Sequence, residues 1–387
     1  MRIALLLVLM AIPVAPAVAQ SVVPVTLPRP WGEQAVGVAT HLLVDSARVD
    51  PHAAGQARRL LVRIWYPADS VSGGVRPYMP AAVADAWRST MPAADGFEDA
   101  ITTNAVADAP VSSALGKWPV LLFSHGRSFP VENYQIALEQ LASQAWVIAA
   151  LSHPYEEALT LLPDGTTLPF RGPSWENEGE RGAVLMGVVD EMVHDAMLVI
   201  DRLETMAAEA SSPFFDRLDL APGVGYFGHS LGGAAAAWTL QRDRRVAAAA
   251  SWEGQVYREE DRPLRVRAPL LYVVGGANRT ELVGTQFRPD ARGGPVYELV
   301  MHGAWHASFG DMLHVYRHYA DEAWHERHRR ELHPLRTNQI TTEYLHEFFG
   351  HYLLGRELDL LWPDSIEELG SYRTWNYPEV ELRVYGG

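Results

Sequence analysis

The stretch from Gly223 to Gly233, followed by four alanines at 234 to 237, constrains this chain more than any other. A short apolar run enters Gly228-His229-Ser230-Leu231-Gly232 and leaves it in strong helix formers. That order predicts a strand, a sharp turn and a helix, with Ser230 at the apex. In so tight a turn the serine backbone is strained, and side chains at Gly228 and Gly232 would strike the flanking elements. A serine capping an ordinary strand-to-helix turn has the same letters, so the rest of the chain must decide.

From Val38 to Asp50 and from Arg58 to Tyr66, apolar and polar residues alternate, predicting an antiparallel hairpin around the turn-prone Pro51 to Gln56. Residues 67–117 are rich in Pro, Ala, Asp and Ser with little periodicity, and read as an irregular excursion across the surface. Beyond them, the continuous apolar run Trp118–Phe123 reads as a strand buried on both faces, and Trp146–Leu151, Val246–Ser251, Pro269–Val274 and Pro295–Val300 read as further, largely apolar strands. Helical spacing recurs at Pro130–Ser143, Val189–Leu203, Leu231–Arg242 and Asn338–Leu354. Strands alternating with helices predict an α/β class: one domain over residues 20–387, with a mainly parallel sheet covered on both faces and an antiparallel N-terminal hairpin.

Arg2, the apolar run Ile3–Ile12 and Ala17-Val18-Ala19 read as a secretory signal cleaved after Ala19, which places the mature chain outside the cytoplasm, secreted or periplasmic. The chain has no cysteine, which excludes disulfide and thiolate chemistry. A net charge of −15 repels phosphate backbones, so nucleic acid is not an expected partner.

A serine hydroxyl barely ionises at neutral pH, so a reactive Ser230 needs a base, an acid that orients the base, and donors for an oxyanion. For the base, His302 and His306 both follow the strand ending at Val300. His306 lies beyond the small Gly303-Ala304 pair and is the better placed to curl over the turn. For the acid, two loops compete: Glu253 sits just past the strand ending at Ser251, and Glu281 lies deeper in the loop after Gly275-Gly276. Backbone N–H groups of Arg127, after Phe123-Ser124-His125-Gly126, and of Leu231 are the natural oxyanion donors.

These residues resemble a known family, the plasma and intracellular platelet-activating factor acetylhydrolases, which are serine phospholipases on the α/β-hydrolase fold. The likeness runs through Phe123–Gly126, Gly228–Ala234 and Gly303–Phe309. The resemblance implies an acid 23 residues beyond the serine, which is Glu253. It also implies metal-independent, cofactor-free hydrolysis of short or oxidised acyl esters through an acyl-enzyme, with a small-molecule or lipid ester as substrate. Two departures stand out: the family acid is normally Asp, and Arg127 replaces an apolar residue beside the oxyanion site. A broad carboxylesterase or polyester hydrolase needs the same three residues, as fold and triad leave the acyl and alcohol groups open. A non-catalytic binding protein on this scaffold is disfavoured by the complete set of candidates.

His346 and His351 are one residue too far apart for a zinc-protease pair, and His314 with His318 reads as a solvated helix face, so no metal is expected. The aromatic tail from Trp362 to Tyr385 is expected to pack on the core, the alternative being weak contact with a lipid surface.

Overall fold

The alternating segments pair as the long antiparallel strands β1 (Ala35–Val49) and β2 (Ala57–Ala68), opening the sheet of a computed structural model that describes residues 22–69, 74–88, 95–173, 178–257, 264–276, 287–289, 293–361 and 377–386. The apolar runs form β3 (Trp118–Ser124), β4 (Val147–Ser152), β5 (Val224–His229), β6 (Val246–Trp252), β7 (Leu270–Gly275) and β8 (Val296–Met301). All six are parallel to their neighbours in the set, and all but one of their residues are buried. That accounts for their strongly hydrophobic composition. The final strand, β9 (Val380–Tyr385), lies antiparallel to β8. Across the sheet the order is β9-β8-β7-β6-β5-β3-β4-β2-β1, and the short Val106–Ala107 strand closes the β1 edge.

Helices cover both faces. The long α3 (Glu178–Ala208) and the alanine-rich α4 (Leu231–Arg242) pack on one, where Val199, Ile200 and Leu203 share an apolar cluster with Leu122 and Tyr226. The small side chains of α4 let it approach closely: Ala236 and Ala237 touch the sheet side, while Ala234 and Ala235 pack with Val189 and Val193 of α3. On the other face α2 (Gln135–Ser143) and α5 (Pro334–Leu354) bury Leu138, Leu141, Phe348 and Phe349 against Phe123, Phe227 and Leu271. Each such side chain contributes about 1.5 to 3 kcal/mol through burial. No helix among the described residues is long and apolar enough to cross a membrane.

The stretch at 67–117 differs from its reading as a surface excursion. It holds α1 (Ala81–Trp87), and Tyr78, Trp87 and Phe97 are fully buried in a cluster of their own with Ile136 and Val315. A seven-residue helix and two-residue strands are too short to leave a periodic signal. The segments read as a secretory signal, Glu281 and residues 362–376 of the aromatic tail lie outside the described residues.

The order of strands reverses around β3, which is flanked by β4 on one side and β5 on the other. In an open parallel sheet the crevice at the carboxyl ends beside such a reversal is where ligands bind. The loop after β4 carries Glu157, a fully buried carboxyl that accepts a 2.5 Å hydrogen bond from Thr160 Oγ1. Burial pushes its pKa up to about 8, with Arg63 opposing and Glu132 adding to the rise. The unfolded chain ionises Glu157 near its ordinary value while the folded chain keeps it protonated, so this residue costs stability as pH rises from about 4.5 to about 8. Glu157→Gln is therefore expected to gain on the wild type between pH 5 and pH 8. Urea midpoints of both proteins at the two pH values check this, and an unchanged gap would contradict it.

Candidate active site

Ser230 sits between β5 and α4 with φ 54° and ψ −118°, left-handed backbone that non-glycine residues rarely adopt. Such strain costs about 1 to 3 kcal/mol and persists only where the surroundings enforce it. Here they do. A Cβ on Gly232 would lie 2.1 Å from the Ser124 carbonyl oxygen, and one on Gly228 would lie 2.4 Å from the Gly232 backbone. Ser230 N–H donates to the Trp252 carbonyl at 2.8 Å, and the Ser230 carbonyl accepts from Ala234 N–H at 3.1 Å to start the helix. Among the described residues Ser230 Oγ makes no hydrogen bond, and the side chain is half-buried.

One strand over, β6 delivers Glu253, also in left-handed backbone (φ 56°) and tied by its N–H to the Val273 carbonyl at 2.8 Å. From this bend the longer carboxylate reaches two ways. Its Oε1 accepts the N–H of Gly275 at the end of β7, and its Oε2 lies 3.2 Å from His306 Nδ1. His306 follows β8 and opens a single 3₁₀ turn, His306–Phe309, held by reciprocal bonds between Trp305 and Ser308. The carboxyl ends of β5, β6, β7 and β8 thus carry Ser230, Glu253, its brace and His306 in spatial order. A proton held on Nδ1 toward the carboxylate leaves Nε2 as the accepting nitrogen. His302, the other candidate base, instead turns toward the sheet edge, with Nε2 3.6 Å from Glu381 of β9.

The loop after β3 closes the other side. A Cβ on Gly126 would lie 2.8 Å from His229 Nδ1 and 3.3 Å from Ser230 Cβ, so glycine lets this backbone pass close to the serine. The Gly126 carbonyl accepts from His125 Nδ1–H at 2.8 Å and from Phe129 N–H at 3.1 Å. That carbonyl and the Arg127 N–H belong to one trans peptide, so fixing the oxygen fixes the direction of the N–H. The Leu231 N–H makes no hydrogen bond among the described residues. The Arg127 side chain donates from Nη2 to the Pro173 carbonyl at 3.1 Å and lies over the Phe170 ring, 5.1 Å from its centroid.

Behind this loop lies an array that spacing in the sequence does not reveal. His153 Nδ1 donates to Asp195 Oδ2 at 3.0 Å, and its Nε2 accepts from Ser124 Oγ at 2.8 Å. Ser124 Oγ in turn accepts from the Tyr226 hydroxyl at 2.6 Å. The residue types are those of a serine triad, yet Ser124, His153 and Asp195 are wholly shielded from solvent. Its reach is toward the loop: the His153 N–H donates to His125 Nε2 at 3.1 Å, which leaves His125 one proton, aimed at the Gly126 carbonyl. Burial, with the neighbouring His153, pushes the His125 pKa down to about 3, so the ring stays neutral.

Asp195 anchors the array. Burial alone would push its carboxyl up, but the Arg58 charge and hydrogen bonds from His153 and Arg58 outweigh it and hold the pKa well below the usual range. Arg58 binds it with two nitrogens, at 2.8 and 3.2 Å, and Arg48 adds a third bond at 2.6 Å. Removing one member of a buried ion pair strands the other, at about 3 to 5 kcal/mol. Asp195→Ala is accordingly expected to lose that much stability in denaturant unfolding. A loss under about 1 kcal/mol, the level of a surface pair, would contradict the account.

Among the described residues no three His, Asp or Glu side chains are grouped to hold a metal ion. His314 is buried rather than on a solvated helix face and meets the exposed His318 edge to face, 5.4 Å between centroids, while His346 Nδ1 accepts from Trp146 Nε1–H at 3.0 Å.

No family model and no curated protein matches the sequence. The fold does match: a ferulic acid esterase from Streptomyces cinnamoneus superposes with a TM-score of 0.73 at 24% identity, covering 92% of this chain and 99% of that one. The chain has the α/β-hydrolase fold, with a mostly parallel central sheet between helices.

Proposed function

We propose that the protein is a serine hydrolase of carboxylic esters, with Ser230 as nucleophile, His306 as base and Glu253 as the acid that orients it. The observation that carries this reading is the Glu253 carboxylate, bound at once to Gly275 N–H and His306 Nδ1 beside a serine in strained backbone. In the proposed reaction Ser230 Oγ attacks the ester carbonyl as His306 Nε2 takes its proton. The tetrahedral oxyanion then rests on the N–H groups of Arg127 and Leu231, donors worth about 2.7 to 4 kcal/mol each where single ones have been removed. Collapse expels the alcohol, which takes the proton from His306. Water, deprotonated by the same imidazole, attacks the acyl-serine and releases the acid.

For the substrate, the broad carboxylesterase reading is favoured by the fold shared with an enzyme described as a ferulic acid esterase. A short-acyl phospholipid is the second reading, favoured by the motifs at Phe123–Gly126, Gly228–Ala234 and Gly303–Phe309 and by the position of Glu253. A fluorophosphonate probe and a substrate panel test both levels. The panel comprises p-nitrophenyl acetate, butyrate and palmitate, methyl ferulate, a short-acyl glycerophospholipid and a polyester film. The expected result is labelling at Ser230 and release from the short aryl esters. A protein that neither reacts with the probe nor releases any alcohol would overturn the proposal.

A further inference from the structure

The residue inside the turn motif just before Ser230 has no part in the chemistry proposed above, yet it makes the contacts that join both loops facing the serine. His229 is buried, and its Nε2 lies 2.9 Å from the His306 carbonyl oxygen. A carbonyl can only accept, so Nε2 carries the ring proton and Nδ1 has a lone pair. Nδ1 lies 2.8 Å from the Tyr134 hydroxyl, which must then donate to it. The Tyr134 oxygen is in turn 3.1 Å from the Gly126 N–H and accepts from it. The bonds run in one sense without conflict: Gly126 N–H to Tyr134 oxygen, Tyr134 O–H to His229 Nδ1, His229 Nε2–H to the His306 carbonyl. His229 also stands against the His306 ring, 4.6 Å between centroids, and lies nearly parallel to Phe309 at 5.9 Å.

We propose that His229 is a positioning residue that holds the base loop and the oxyanion loop at a fixed separation across Ser230, using Tyr134 as its second arm. The inference rests on the reading of Ser230 and His306 as catalytic. Its physical basis is that a carbonyl addition needs nucleophile, base and oxyanion donors placed together, and a misplacement of about 1 Å costs on the order of a hundredfold in rate. The oxyanion loop is irregular and the base loop has only the single 3₁₀ turn His306–Phe309, whose bonds stay within the loop, so neither is fixed relative to the other by strand or helix bonds. One rigid, neutral ring seated in the turn can fix them, because it is fastened to Ser230 through the chain itself. Burial, with the His306 and His125 rings opposing its protonation, keeps the His229 pKa well below the ordinary value, so the donor and acceptor sides keep their roles across the neutral range.

Three variants separate the arms. In His229→Gln the amide nitrogen reaches about as far as Nε2 and can still donate to the His306 carbonyl. In His229→Asn the amide oxygen stands near the Nδ1 position and can accept from Tyr134, but nothing reaches His306. Tyr134→Phe removes only the hydroxyl. With p-nitrophenyl butyrate, His229→Asn is expected to lose about 10- to 100-fold in kcat with KM within about threefold, and His229→Gln to recover most of that loss. Tyr134→Phe is expected to weaken binding of an alkyl boronic acid, which forms a tetrahedral adduct on Ser230, by about the same factor as kcat/KM falls. On the unaltered protein, long-range ¹H–¹⁵N spectra should show His229 as the Nε2–H tautomer from pH 6 to pH 8. The opposite tautomer overturns the inference, as do Gln and Asn variants that lose kcat equally, or variants that keep wild-type kcat. A wild-type protein that binds no fluorophosphonate while His229 shows the expected tautomer would instead sink the catalytic reading on which this one stands.

Discussion

Ser230→Ala is expected to lower ester turnover by on the order of 10⁶-fold while leaving the fold in place. The size follows from what is removed. Without Oγ no acyl-enzyme forms, and the remaining oxyanion donors act only on direct attack by water. The prediction has a second part, because the strain at this position belongs to the backbone and not to the hydroxyl. Alanine keeps a Cβ at φ 54° and so keeps the strain, whereas Ser230→Gly relieves it and should raise stability by about 1 to 3 kcal/mol. Measured together, kcat for a short aryl ester and the denaturant midpoint make a joint test. An alanine variant with more than about a tenth of wild-type kcat would remove Ser230 from the mechanism. A glycine variant no more stable than the wild type would show that the turn stores nothing.

Glu253→Gln is expected to lower kcat by about 10³- to 10⁴-fold with little change in KM or stability. The amide is nearly isosteric, and its oxygen can go on accepting from Gly275 N–H, so the side chain should stay seated. What changes is the face shown to His306. An NH₂ group replaces a carboxylate oxygen 3.2 Å from Nδ1, favouring the tautomer with the proton on Nε2, where it cannot take one from Ser230. The imidazolium formed during attack also loses its partner. Glu281→Gln serves as the control and should retain wild-type kcat. If the control fell further than Glu253→Gln, the acid would have been assigned to the wrong strand end.

Much of this architecture was legible because the signals are local. A parallel strand covered on both faces must be largely apolar, and β3 to β8 are, with Glu298 of β8 and a few polar residues, mostly near strand ends, as the exceptions; a turn with no room for a Cβ must be glycine, and Gly228 and Gly232 are. Glu253 competed with Glu281 on residue pattern alone, and the family resemblance favoured it. What stayed hidden depends on pairing at a distance. Asp195 meets His153 across 42 positions and Arg58 across 137, and nothing in a helical period tells an inward aspartate which basic group faces it. Tyr134 meets His229 across 95 positions, and the helical spacing of Pro130–Ser143, in which it lies, says nothing of that partner. The packing of α1 and its neighbours was hidden for another reason, since elements this short carry no period at all.

The strand β9 matters for how the molecule withstands damage. It pairs with every residue of β8, from Val296 to Met301, and Glu379 just before it accepts the N–H of His302 at the root of the base loop. A protease cut ahead of Tyr377 that let this strand go would bare the backbone donors and acceptors of β8, a strand with Glu298 as its one charged residue, the kind of open edge on which chains polymerise. Clipping there should therefore show itself first as aggregation, with loss of activity following.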